Sequence, residues 1–194
     1  MMNEKNPIKR FQRSLAKAEA KGTPLANAMS VATASVKGSP SVRMMLLKGA
    51  DARGFVFYTN VKSRKGRELL ENKNVSLCFW WPALEEQVRI EGKAKRVSAR
   101  EADAYFQTRP RGSQIGAWAS RQSGVLSSRR ELLSQFEKLK KRFQGMRVPR
   151  PPFWQGFRVT PKRIEFWHGM PDRLHERTLY LRSGRTWKVK LLYP

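Results

Sequence analysis

Between residues 29 and 97 strand-like runs mostly follow one another through short connections, and that spacing constrains the fold more than any other feature. MSVATASV (29–36) and PSVRMMLLK (40–48) are separated only by Lys37-Gly38-Ser39. GFVFYTN occupies 54–60, and NVSLCFWW (74–81) is followed almost at once by a long run from Glu85 to Val97. A parallel pair needs a crossover of about a dozen residues or more, so these short connections favour antiparallel pairing. Val88 and Ile90 alternate with Gln87, Arg89 and Glu91, which gives the long run one buried face. The tail returns to strands at 154–159, 163–167, 178–182 and 186–192, with a tight turn at Ser183-Gly184.

Helices fill the longer intervals. Pro7 suits a first turn, Ile8, Phe11 and Leu15 recur at helical spacing, and Gly22 stops the run, which predicts a helix over 7–21. SRKGRELLENK (63–73) is a second helix. Ser98 with Glu101, and Ser128 with Glu131, match the capping box and open helices running to about Thr108 and over ELLSQFEKLKKRF. A shorter helix is expected over 113–119, while GMRVPRPP (145–152) reads as loop. The fold class is mainly β (α+β), a small antiparallel barrel flanked by helices. Residues 1–28 are expected to form an N-terminal helical segment and 29–194 a single domain.

Forty Lys and Arg against fifteen Asp and Glu leave a formal charge of +25 over 194 residues. Such a charge attracts polyanions, phosphorylated small molecules or anionic membrane surfaces without choosing among them. The one cysteine, Cys78 in VSLCFWW, excludes an intrachain disulfide and any zinc site built from several cysteines, and reads as a small buried hydrophobe. MMNEKNPIKRF has no signal-peptide apolar stretch, and no run reaches transmembrane length. A soluble, cytoplasmic protein with no membrane partner is expected.

The start of the 63–73 helix carries the wrong charge. A helix N-terminus already bears partial positive charge, so Ser63-Arg64-Lys65 makes sense if an anion is held there by N–H groups, a hydroxyl and two cations on an exposed first turn. Arg43, Lys48, Tyr58 and Thr59 lie on the strands leading to it. The other reading is a surface helix in a basic protein. Tyr105 and Arg109, four apart on one helix face, with Ser113 just beyond Pro110, suit a second phosphate, or else are a tyrosine packed on a surface arginine. Ser120-Arg121-Gln122-Ser123-Gly124 is a polar loop. Arg173, His175 and Arg177 alternate, which on a strand sets them on one face, where they repel unless something anionic or aromatic sits opposite. A hydrogen-bonded strand histidine is the plainer account of His175.

Taken together, RMMLLK, FYTN followed by SRK, LEEQV, YFQTRPRGSQIGAW, RQSG, FWQGFRV, IEFWHG and RLHER resemble the pyridoxine/pyridoxamine 5′-phosphate oxidase family, in order and over nearly the whole chain from about Met29 to Pro194. The resemblance implies an FMN-binding split β-barrel that forms a homodimer, with FMN at the subunit interface. Arg43, Arg64 and Lys65 would hold the flavin phosphate with Gln122 and Ser123, and Met44, Lys48 and Ser63 would belong to the same cofactor set. Tyr58 and Thr59 would line the cofactor, and Gln87, Trp167 and Arg177 would contact the ring system. Lys48, Tyr105, Arg109 and Ser113 would grip the substrate phosphate, while Arg173 and His175, the expected catalytic pair, would cover the pyridine ring opposite the flavin. No metal is needed.

The implied reaction moves a hydride from the substrate C4′ carbon to the flavin, with dioxygen as final acceptor and hydrogen peroxide as product. It converts pyridoxine or pyridoxamine 5′-phosphate to pyridoxal 5′-phosphate, the amine losing ammonia by imine hydrolysis, in vitamin B6 synthesis or salvage. The stretch before Met29 lacks the arginine-rich leader that some relatives use to close over the substrate. Two other readings stand beside this one. A split-barrel flavoprotein that oxidises another small molecule keeps the fold and changes the substrate. A basic nucleic-acid-binding protein would draw on the charge and on Trp80, Trp81, Trp118 and Trp154, although these tryptophans sit in patterns that look like core.

Overall fold

The protein is described here by a computed structural model covering residues 5–194; residues 1–4 of the expected N-terminal segment lie outside the described residues. Nine strands form one antiparallel sheet: β1 (Ala28–Ala34), β2 (Pro40–Leu46), β3 (Gly49–Asp51), β4 (Gly54–Asn60), β5 (Asn74–Trp81), β6 (Glu86–Arg96), β7 (Trp154–His168), β8 (Glu176–Ser183) and β9 (Thr186–Leu192). The order is β2-β1-β5-β6-β7-β4-β3, with β8 also on β7 and β9 on β8. Among the described residues five α-helices flank the sheet: α1 (Pro7–Ala20), α2 (Arg64–Glu71), α3 (Ala99–Thr108), α4 (Arg111–Ala119) and α5 (Arg129–Arg142). The mainly β, antiparallel architecture is the one the short connections imply.

The sheet curls around β7. Its first half pairs with β4 (Asn60↔Trp154 to Phe55↔Val159) and its second half with β8 (His168↔Glu176 to Arg163↔Leu181), while β6 runs along its other edge from Phe157 to His168. The sequence suggests two strands here, broken around Pro161, yet β7 is one strand of 15 residues. A proline lacks the N–H that a ladder needs, so it is tolerated where the ladder is already irregular. Pro161 lies opposite Gly92, where β6 and β7 shift register. A side chain at Gly92 would place its Cβ 2.3 Å from Thr160 O, so this crowded crossing requires glycine.

One face of the sheet makes the core. Val75, Leu77, Phe79 and Trp81 of β5 point inward with Val88 and Ile90 of β6 and Ile164 and Phe166 of β7. Helix α1, capped by Asn6, closes this side: Phe11 is fully buried, with ring centroids 5.0 Å from Phe55 and 4.8 Å from Phe79. A second cluster of Phe106, Ile115, Phe143, Val148 and Trp154 fastens α3 and α4 to the end of the sheet where β7 begins.

The opposite face is less covered, which corrects two expectations. Cys78 is half-buried on that face, and Trp80, expected in the core, is 50% exposed. NVSLCFWW is apolar at nearly every position, so its alternation is hidden in the sequence; only pairing decides that 75, 77, 79 and 81 face the core. Trp81 and Trp154 are buried as expected.

Candidate functional site

The turn from β4 into α2 builds the first group of candidate residues. Ser63 caps α2: its hydroxyl accepts from Gly66 N at 3.2 Å and donates to Asn60 O at 2.7 Å. Its single proton is therefore committed inside the turn, so the Ser63 hydroxyl expected near an anion serves as the helix cap. A Cβ at Gly66 would stand 2.4 Å from Asn60 O, so glycine lets helix and turn touch. That close approach accompanies an inward Lys65, which is 6% exposed, against the expectation of an exposed first turn; Arg64 alone of the pair is surface-facing. Lys65 Nζ donates to Thr59 Oγ1 and Gln122 Oε1, each at 3.1 Å, and Thr59 Oγ1 donates to the same Gln122 oxygen at 3.2 Å. Ser123, the next residue, turns the loop with φ of +70°.

Arg43 of β2 reaches the same region from the sheet edge. Its Nη1 donates to Val31 O at 3.1 Å and Thr33 Oγ1 at 2.6 Å, and its Nη2 to Ser41 Oγ at 2.6 Å. Burial, and then the nearby Arg43 charge, push the Lys65 ammonium down to about 8. Burial also lowers Arg43, against the pull of Glu68. Among the described residues no carboxylate pairs with Lys65. A buried cation in that state fits an anionic ligand.

The second group adjoins the first, because Tyr58 and Thr59 are neighbours on β4 and point to opposite faces. Tyr58, Tyr105 and Trp154 are nearly parallel, with centroids 4.2 Å (Tyr58–Tyr105), 4.9 Å (Tyr58–Trp154) and 6.2 Å (Tyr105–Trp154) apart. Burial, then Glu101 and Tyr105, raise the Tyr58 phenol to about 12, so it stays protonated. Arg109 ends α3 with its guanidinium 5.0 Å from the Trp154 ring centre and 5.5 Å from that of Phe106. Its Nη1 is buried and, among the described residues, has no hydrogen-bond partner. Burial lowers its pKa, with Tyr105 opposing. An orphaned guanidinium donor fits a phosphate or carboxylate, and Ser113 of α4 is an exposed hydroxyl. Lys48 is also exposed, its backbone N–H held by Val56 O at 2.8 Å.

The third group lies on the less covered face of the sheet. Cross-strand register places Trp80, Gln87, Trp167 and Arg177 side by side on β5, β6, β7 and β8. Arg177 donates through Nε to Glu165 Oε1 at 2.8 Å and through Nη1 to Tyr193 O at 3.0 Å. Met44 shares this face, 63% exposed, so it and Arg43 diverge to opposite sides of β2. The expectation that Arg173, His175 and Arg177 alternate on one strand fails: β8 begins only at Glu176, and Asp172 and Arg173 are left-handed, with φ of 55° and 60°. His175 lies against Trp167, ring centroids 4.5 Å apart and the planes tilted by 46°, and accepts from Met170 N through Nδ1 at 3.2 Å. That bond puts the neutral ring's proton on Nε2. Arg173 is exposed.

Thr59, Lys65 and the second group lie where β7 begins, next to Asn60↔Trp154, and Gln87, Trp167 and Arg177 where it ends, next to Glu86↔His168, while register carries Arg43 and Met44 of β2 across β1, β5 and β6 to Ile164 and Glu165. At roughly 3.3 Å per residue, those ends are more than about 40 Å apart along the strand. Sequence reasoning overlooked three organising residues: Glu68, which holds both arginines of the first group; Trp154, assigned only to the core; and Glu165, which holds Arg177. A glutamate among basic residues looks like a surface ion pair, and the signal that distinguishes Glu68 is its burial.

Residues 15–168 match the family model described as pyridoxamine 5′-phosphate oxidase, and residues 154–194 match the pyridoxine 5′-phosphate oxidase C-terminal dimerisation region. A protein of Anaeromyxobacter dehalogenans named pyridoxine/pyridoxamine 5′-phosphate oxidase is 54% identical, the match covering 97% of this chain and 96% of the relative. A Myxococcus xanthus protein of the same name is 52% identical, covering 97% and 92%. Among solved structures, PhzG from Burkholderia lata in complex with tetrahydrophenazine-1-carboxylic acid is 34% identical with a TM-score of 0.95, covering 100% of this chain and 95% of that one.

Proposed function

Because the chain belongs to the pyridoxamine 5′-phosphate oxidase family, we propose that it is an FMN-dependent oxidase that converts pyridoxine or pyridoxamine 5′-phosphate to pyridoxal 5′-phosphate. The observation that carries the reading is the pair of separate, unpaired cations: buried Lys65 in the first group and the orphaned Arg109 Nη1 in the second. Two phosphate-bearing ligands, a cofactor and a substrate, account for both. When bound, FMN supplies the acceptor for hydride from the substrate C4′ carbon and passes the electrons to dioxygen, giving hydrogen peroxide.

The chain's own residues bind and orient. Lys65, Arg64 and Arg43 hold the flavin phosphate, with Thr59, Gln122 and Ser123 around Lys65 Nζ. Arg109 and Tyr105 hold the substrate phosphate, with Ser113 and Lys48 at its exposed edge, and Trp154 beneath fixes the guanidinium. Gln87, Trp167, Met44 and Arg177 form a wall for the flavin ring. His175 offers an Nε2–H donor and Arg173 a second cation over the substrate ring. Positioning of this kind is the protein's share of the rate, since the redox chemistry is the cofactor's.

Gln87, Trp167 and Arg177 lie at the opposite end of β7 from Lys65 and Arg109, which supports a site that draws on both subunits of a homodimer. The match of 154–194 to a dimerisation region, and the open sheet face carrying Met44 and Trp80, support that assembly. The test is the visible spectrum of the purified protein, followed by anaerobic pyridoxine 5′-phosphate. Flavin absorption that bleaches with substrate and returns in air is the expected result. A yellow protein that ignores the substrate refutes the substrate assignment, and a protein that cannot be loaded with FMN refutes the whole reading.

A further inference from the structure

Glu68 is a carboxylate set among the cations of the first group. It lies one turn into α2, is 6% exposed, and shares a helix face with Arg64. Its Oε1 accepts from Arg64 Nε at 2.9 Å. Its Oε2 accepts from Ser41 Oγ at 2.7 Å and from Thr33 Oγ1, and lies 3.7 Å from Arg43 Nη2. Each hydroxyl works in two directions: it spends its proton on Glu68 and accepts from Arg43, both at 2.6 Å. Arg43 and Arg64, from different elements, are thus tied to one carboxylate.

We propose that Glu68 is the positioning residue of this site, fixing both arginines and trimming the cluster's charge to that of a phosphate dianion. The inference rests on the reading of Arg43, Arg64 and Lys65 as the flavin-phosphate cations. Three cations and one carboxylate leave a net charge of about +2, against roughly −1.5 to −2 for a phosphate monoester near neutral pH. Glu68 takes Arg64 through Nε, which leaves both terminal Nη groups to a ligand. A role in packing alone does not explain the choice of residue, because a buried ion pair stabilises a fold no better than apolar groups of similar volume. Burial would raise the Glu68 carboxyl, but hydrogen bonds from Thr33, Ser41 and Arg64 outweigh it and hold the group at about 2, so it stays charged wherever phosphate is a dianion.

The test strips flavin from the full-length protein and titrates wild type, Glu68→Gln and Ser41→Ala with FMN and with riboflavin, which lacks the phosphate. Glu68→Gln should weaken FMN roughly ten- to a hundredfold, the worth of a hydrogen bond to a charged group, and leave riboflavin unchanged. Its FMN affinity should also fall more steeply with salt, because loosely held charges are screened more than fixed ones. Ser41→Ala, which keeps the carboxylate and cuts one tie to Arg43, should weaken FMN by roughly threefold or more, again sparing riboflavin. Equal losses for both flavins, or FMN bound as well by Glu68→Gln as by wild type, overturn the proposal. If Glu68→Gln does not fold, unchanged FMN binding by Ser41→Ala overturns it. If wild type fails to prefer FMN over riboflavin, the phosphate site itself falls, and the role of Glu68 with it.

Discussion

Raising the pH from about 7 to about 9.5 should loosen FMN from the wild-type protein and leave it bound to Lys65→Arg, because the Lys65 charge becomes conditional in that interval. Burial, then Arg43, bring the Lys65 ammonium from 10.5 to about 8. At about 1.36 kcal/mol per pKa unit, the folded flavin-free protein carries a cost of roughly 3 kcal/mol while this lysine is protonated. The group is a cation whose folded pKa lies below its unfolded one. Its cost is fully present below about pH 8 and is relieved as pH rises from there toward 10.5, a window in which the unfolded chain binds more protons. Stability of the flavin-free protein therefore gains from Lys65 as pH rises. Anion binding runs the other way, because a phosphate beside Nζ restores the proton. Affinity for FMN should be level below about pH 8 and fall about tenfold per unit above it, roughly thirtyfold by pH 9.5. Fluorescence titration of stripped protein measures this, with riboflavin as the control that shares the ring and lacks the phosphate. A guanidinium stays charged throughout, so Lys65→Arg should show no break. A wild-type curve without a break, or the same break in Lys65→Arg, refutes the reasoning.

Two further outcomes test the second and third groups. Arg109→Ala should raise the apparent KM for pyridoxine 5′-phosphate roughly ten- to a hundredfold through loss of a charge-assisted phosphate contact, with FMN affinity in the same titration nearly unchanged; equal damage to both would undo the separation of the two phosphate sites. Arg109→Ala and Arg173→Ala, each impaired alone, should recover about a quarter of wild-type activity when unfolded and refolded together in equal amounts, since half the dimers are then mixed and each has one intact site. No recovery in verified mixed dimers would mean that both residues serve the same site from one chain.

Much of the fold is written locally, and what is not local was hidden. Capping at Ser98 and Ser128 is a short-range signal, and both hydroxyls accept the expected Glu101 and Glu131 N–H groups. The three-residue β3 and the continuity of β7 through Pro161 depend instead on partners, since Gly92 on another strand supplies the irregularity that admits the proline. The site divides in the same way. Residue types and spacing single out Arg64, Lys65, Tyr105 and Arg109 as anion-seeking, yet nothing local says that Lys65 is buried or that Glu68 finds Thr33 and Ser41, more than twenty residues away. Alternation at 173, 175 and 177 mimics a strand, but alternation specifies a face only where a ladder exists, and the ladder starts at Glu176. The last step lies beyond any single chain's contacts. Lys65 and Arg109 stand by one end of a 15-residue strand and Gln87, Trp167 and Arg177 by the other, and a strand is too stiff to fold back on itself. On the proposed reading, one ligand spanning both takes the wall from a second copy. The same strand lies within the residues that match a dimerisation region, which supports the proposal of a site completed by a partner.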